Sequence, residues 1–232
     1  MHCVAVRLSV VFLLFFACLY GAHAQEKSVN PGINDPFANP DVKSFQEKFE
    51  VESREVFTRR GEILAACQIA QGQTVADIGA GTGLFTRLFA KAVGDDGQVI
   101  AVDIAQNFLD HIIKTNRELD IRNVDVLRCT PESTELPAES VDVAFICDTY
   151  HHFEYPNKTM QSLFRAMKPG GRVIVIDFKR IEGDSTDWVM KHVRAGQEVF
   201  ESEILECGFV KMREESELLR ENYFVIFQKP AR

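Results

Sequence analysis

Three short runs carry side chains able to do chemistry. The first is Val75-Ala-Asp-Ile-Gly-Ala-Gly-Thr-Gly83, in which Gly79, Gly81 and Gly83 alternate with Ala80 and Thr82 behind Asp77. Glycines at the exit of a strand allow a tight turn that brings backbone N–H groups close to a ligand. The second is Asp103, which ends an apolar run twenty positions beyond Gly83. A carboxylate there can accept hydrogen bonds from both hydroxyls of a ribose. The third is Asp148-Thr-Tyr-His-His-Phe153. Imidazole titrates near neutral pH, so His151 and His152 are candidate general bases, with Tyr150 an aromatic wall or a hydroxyl donor. The chemistry these runs describe is the binding of a nucleoside-containing ligand with a proton acceptor beside it. The turn and Asp103 would also suit NAD. Against that, the glycines depart from the G-x-G-x-x-G spacing, and Asp77 stands where it can orient the loop or meet an ammonium group.

Other groups have two readings each. Arg54, in Glu50-Val-Glu-Ser-Arg54-Glu-Val-Phe57, can pair with a ligand carboxylate or an acid on the core, or it can make an ordinary Glu50–Arg54 helix pair. His192 and Arg194 can reach a substrate, but a plain surface loop is the simpler reading. Asp148, His151, His152 and Asp177 are a conceivable metal set, yet nothing in the sequence makes them converge, and no metal ligands are assigned. Cys67, Cys129, Cys147 and Cys207 sit in apolar stretches without any CxxC pair, which suits buried thiols better than disulfides or structural zinc.

The elements that must position these groups follow from periodicity. Short strands are predicted at 74–78, 98–102, 124–128, 141–147 and 172–178, with helices at 82–92, 105–119 and 160–167 between them. Several strands are apolar throughout, as in a parallel sheet covered on both faces. After a connection at 181–190, a helix over 195–207 precedes strands at 209–213 and 223–227, the latter read as the sheet edge. The fold class is therefore α/β: a Rossmann-like, seven-stranded, mostly parallel sheet with helices on both faces and an antiparallel C-terminal edge strand. Residues 42–70 have helical periodicity and read as two helices forming a lid, and 25–41, with Pro31, Pro36 and Pro40, as a linker or strap. The core is assigned to 71–230.

At 232 residues the chain holds one sizeable domain. Its 46% hydrophobic content is globular, and its net charge of −8 argues against a general nucleic-acid binder. Residues 1–24 read as a signal peptide: Arg7, then an apolar run from Leu8 to Tyr20, then Ala22-His23-Ala24 as a cleavage site. The run is shorter than a membrane-spanning helix needs. A periplasmic or secreted protein without a stable membrane anchor is expected.

Four motifs in order, VADIGAGTG at 75–83, AVDIA at 101–105, LPAESVDVAFICDTYHHF at 136–153 and MKPGGRVIVIDF at 167–178, give the chain a further meaning. From about Phe49 to Phe227 it resembles the class I S-adenosylmethionine-dependent methyltransferases, in particular the ubiquinone-biosynthesis-like small-molecule branch. The resemblance implies S-adenosylmethionine as cofactor and a small-molecule acceptor. It implies that Gly79, Ala80, Gly81 and Gly83 hold the methionine part, that Asp103 binds the ribose, and that Ile104 sits against the adenine. Asp148 would lie near the amino-acid end, and the helix bearing Arg54 would form a lid. The chain departs from the family after the third strand, where Gly-Asp-Ala is common. Here Thr130 takes the Asp position and Glu132 is the acid that can replace it. Binding of the nucleoside without catalysis, and NAD-dependent oxidoreduction, are the alternatives.

Overall fold

The computed structural model describes residues 27–231; the predicted signal peptide lies outside the described residues. The first sheet strand is β1 (Thr74–Ile78), followed by β2 (Gln98–Asp103), β3 (Val124–Arg128), β4 (Val141–Cys147), β5 (Met167–Phe178), β6 (Val210–Glu214) and β7 (Asn222–Gln228). The helices are α1 (Val42–Phe49), α2 (Glu55–Thr58), α3 (Arg60–Cys67), α4 (Leu84–Val93), α5 (Gln106–Glu118), α6 (Pro156–Ala166), α7 (Asp187–His192) and α8 (Gln197–Glu206).

The seven strands form one sheet in the order β3-β2-β1-β4-β5-β7-β6. β1 to β5 pair in parallel, and β7 runs antiparallel to both β5 and β6. The strand order reverses at β1, which lies between β2 and β4. In open α/β sheets a ligand crevice forms at such a reversal, outside the carboxyl ends of the strands.

Strand residues alternate between two buried clusters. Ala76, Ile78, Ala144, Ile146, Val173 and Val175 belong to one, with residues of α6 and α8. Val75, Val143, Phe145, Ile174 and Ile176 belong to the other, with residues of α3 and α4. Burial on both faces explains why the central strands are apolar throughout.

The antiparallel C-terminal edge is present, but its two strands are exchanged relative to the expectation. β7, read as the edge, is internal and buried, and β6 is the edge. The sequence of β7, NYFVIFQ, is apolar at successive positions, as a strand covered on both faces requires, whereas VKMRE in β6 is largely exposed. Within the predicted connection at 181–190, Thr186 Oγ1 caps Val189 N–H and starts α7. Among the described residues no helix is long and apolar enough to cross a membrane. The four cysteines in the described range are free thiols.

Candidate active site

β1 delivers Asp77 and then the glycine turn. Gly79 and Ala80 donate to the Val102 carbonyl of β2 at 2.7 and 3.1 Å, which fastens the turn to the neighbouring strand. Gly79 has φ +71°, and a Cβ there would stand 2.2 Å from Thr149 Cγ2, so the ends of β1 and β4 approach as only glycine permits. Gly83 serves a different purpose from the one expected. It caps α4 at φ +77° and does not line the cavity; a Cβ there would meet Ile112 Cγ1 of α5 at 2.7 Å. Its role is close packing.

Asp103 ends β2 facing the turn. Its Oδ2 accepts from Gly81 N–H and its Oδ1 from Ala105 N–H, both at 2.8 Å. A carboxylate has about four lone-pair sites, so acceptor capacity remains for a ligand. Burial pushes the Asp103 carboxyl up to about 6, against the hydrogen bonds from Ala105, Gly81 and Ile104. Asp77 accepts from Thr86 Oγ1 of α4 at 2.6 Å, and burial, with Asp103 nearby, pushes it up to about 7.

β4 delivers Asp148, whose backbone has φ +48°, an uncommon conformation for a side chain-bearing residue. Its carboxylate is gripped from two sides, by Arg54 of the lid and by Asn222 Nδ2 at 2.5 Å. Arg54 thus takes the second of its predicted partners, an acid on the core. Burial raises the Asp148 carboxyl, and the Arg54 guanidinium pulls the other way.

The residues after Asp148 separate. Tyr150 is fully buried between Phe153 and Phe200, with ring centroids 5.0 Å from each, and does not line the cavity; its expected role as wall or donor is corrected to core packing. His151 lines the cavity. Its Nδ1 lies 2.7 Å from Asp177 Oδ1, and its backbone N–H donates to Asp177 Oδ2 at 3.0 Å. His152 also lines the cavity, edge-on to Phe37 at 5.1 Å. Burial, then the neighbouring imidazoles, drive the His152 ring down to about 2. The four-residue metal set does not converge, because Asp148 is committed to Arg54 and Asn222. His151 and His152 meet His192 instead.

The sequence leaves His192 between a substrate contact and a plain surface loop. His192 closes α7, half-buried, with its ring stacked on Trp188 at 4.6 Å. No local motif announces it, since it meets His152 across forty positions of sequence. Arg194 turns away, to Glu203 at 2.6 Å. Ile104 and Thr130 line the cavity, but Glu132 does not: it is half-exposed and paired with Lys158 at 3.0 Å. The acid expected to replace the family's Asp is therefore not at the site. A Thr130–Ser133 bridge folds this loop so that Thr130, not Glu132, borders the cavity.

The cavity these groups enclose measures about 790 Å³, well within the range of small-molecule sites. Its lining includes Asp77, Asp103 and Asp148, the three imidazoles, and Phe153, Phe178 and Trp188, with Lys48 and Arg54 as the basic groups. The strap at 27–41 borders it as well. Asn34 Nδ2 donates to the His152 carbonyl at 3.0 Å, and Phe37 packs on Phe45 of α1 at 5.3 Å.

Residues 76–175 match a family model described as a methyltransferase domain. That segment is similar to a methyltransferase domain. The fold around it agrees: a SAM dependent methyltransferase from Aquifex aeolicus superposes with TM-score 0.71 at 26% identity, covering 80% of this chain and 97% of that one. An S-adenosylmethionine dependent methyltransferase from Mesorhizobium loti gives TM-score 0.60 at 16% identity, covering 75% and 98%, a likeness of fold alone. The ubiquinone/menaquinone biosynthesis C-methyltransferase UbiE of Salmonella arizonae is 33% identical over 113 residues, 48% of this chain and 45% of its own length. The chain thus spans about half the length of the curated relatives it matches. The match to a methyltransferase domain and the fold imply S-adenosylmethionine as cofactor, and this cavity fits it. The Asp103 carboxylate keeps acceptor sites beside the turn for ribose hydroxyls.

Proposed function

We propose that the protein is an S-adenosylmethionine-dependent methyltransferase acting on a small, largely apolar acceptor with an acidic O–H or N–H. The observation that carries this reading is the joining of Asp103 to the Gly81 N–H in a cavity that imidazoles also line. Bound there, S-adenosylmethionine would supply an electrophilic methyl group on a sulfonium.

On the donor side, the turn at 79–81 would hold the methionine part, Asp103, Ile104 and Thr130 the nucleoside, and Asp77 and Asp148 would lie near the amino-acid end. On the acceptor side, Asp177 fixes the His151 ring through Nδ1, which leaves Nε2 to take the acceptor's proton. Phe37, Phe45 and Phe49 on the strap and lid exclude water from the space between. The chain contributes orientation and a dry cavity. The sequence at 1–24 supports export of this enzyme.

The test is product formation. The full chain, incubated with S-adenosylmethionine and a panel of phenols, quinols and small amines, is expected to release S-adenosylhomocysteine with at least one of them. Tight cofactor binding without release across the panel and with cell extract would favour a non-catalytic binder.

A further inference from the structure

The acceptor side holds more imidazole than proton transfer needs. His151 and His152 lie in the 3-10 turn Tyr150–His152, and His192 comes from α7. One ring nitrogen of each lies within 4.8 Å of those of the other two. His152 Nε2 and His192 Nε2 are only 3.4 Å apart. A tetrahedral ion with metal–nitrogen bonds of about 2.0–2.1 Å sets neighbouring ligand atoms about 3.4 Å apart. One edge of a coordination polyhedron is therefore already at its metal-bound length.

The surroundings have the form of an outer ligand shell. Metal-bound histidines commonly give their second ring nitrogen to a carboxylate, which fixes tautomer and direction. His151 does this with Asp177, and Asp177 is in turn held by the backbone N–H groups of His151 at 3.0 Å and Phe178 at 2.8 Å. Trp188 stacks on His192, and Phe37 stands edge-on to His152. These apolar contacts hold the rings without competing for their nitrogens. The nearby carboxylate of Asp148 is occupied by Arg54 and Asn222 and adds no fourth ligand.

We propose that His151, His152 and His192 form a three-imidazole site for a divalent transition ion of the zinc or cobalt type, open on its remaining side to the cavity. The proposal rests on the methyltransferase reading and deepens it: the acceptor would be one that offers an oxygen to the ion. An acceptor hydroxyl binding there would form a metal–oxygen bond as its O–H bond breaks, its proton passing to the hydroxide that it displaces from the ion and that leaves as water; no electron is transferred. His151 then acts as a ligand rather than a base, with Asp177 as its positioning residue.

The test uses the untagged full chain, stripped with chelator and titrated with Co2+. One equivalent is expected to bind with the intense visible bands of a four- or five-coordinate cobalt, and Zn2+ is expected to abolish them. His192→Gln and His152→Gln should each weaken Co2+ binding at least about 100-fold, and Asp177→Asn about 10- to 100-fold. S-adenosylhomocysteine titrated into the same preparations reports both folding and the donor half. Absence of stoichiometric Co2+ binding, or binding unchanged in both histidine variants, overturns the metal site. Loss of S-adenosylhomocysteine binding in the wild type, with the cobalt spectrum intact, overturns the methyltransferase reading and leaves the metal site standing.

Discussion

Asp103 Oδ2 accepts the Gly81 N–H at 2.8 Å, so the end of β2 and the glycine turn of β1 are one rigid unit. The other carboxylate oxygen is held by Ala105 N–H at the start of α5. Three elements are thus locked at one point on the cavity wall, and a ligand meeting Asp103 meets a group whose direction is already set. That preorganisation reduces the ordering cost of binding.

Asp77 gives a pH prediction with a definite sign. Its carboxyl is raised from 3.8 to about 7 by burial and by Asp103, with Thr86 and Arg87 acting in the opposite direction. Between these values the folded chain keeps a proton that the unfolded chain has released. Raising the pH through that window therefore destabilises the cofactor-free protein at this residue. The stability of Asp77→Asn minus that of wild type, from urea unfolding, is expected to rise by about 1 kcal/mol or more from pH 5 to pH 7.5. A flat difference contradicts the shift.

Gly79→Ala is expected to destabilise by about 2–4 kcal/mol, since it adds a Cβ 2.2 Å from Thr149 Cγ2 at a left-handed backbone position. Gly79→Ala combined with Thr149→Gly should recover the steric part and leave about 1 kcal/mol from the backbone. Denaturant unfolding of the four proteins in the cycle checks this.

Arg54→Ala strands the buried Asp148 carboxylate, and the expected loss is about 3 kcal/mol. Asp148→Asn in the same chain should restore part of it, because Asn222 still bonds the new amide. Limited proteolysis provides the second readout: cleavage within 42–60 should quicken in Arg54→Ala as the lid loosens.

His151→Ala should lower turnover on a methylated acceptor about 100-fold or more, with the S-adenosylhomocysteine affinity changed less than about threefold. Both the base and the ligand role of His151 require that split. Equal losses in both quantities would place His151 on the donor side.

Much of this was legible in the sequence, for physical reasons. A doubly covered parallel sheet leaves apolar runs separated by turn residues, so β1 to β5 stand out, and a glycine turn that must touch a ligand has few substitutes. What stayed hidden depends on long-range placement. Tyr150 looks chemical beside two histidines, but in the 3-10 turn it points into the core against Phe200. Glu132 counts as the missing family acid, yet the Thr130–Ser133 bridge turns its loop toward Lys158. His192 has no local pattern because α7 carries it to His152 from another part of the chain. Standing before Pro230, β7 reads as the edge, although its unbroken apolar sequence marks it as internal.

Isothermal titration of the full chain with S-adenosylhomocysteine bears most directly on the cofactor site. One saturable site per chain is expected, with affinity falling at least about 10-fold in Asp103→Ala, the loss of a charge-assisted hydrogen-bonding partner. No saturable heat in a folded wild type, or an affinity indifferent to Asp103, would contradict the account.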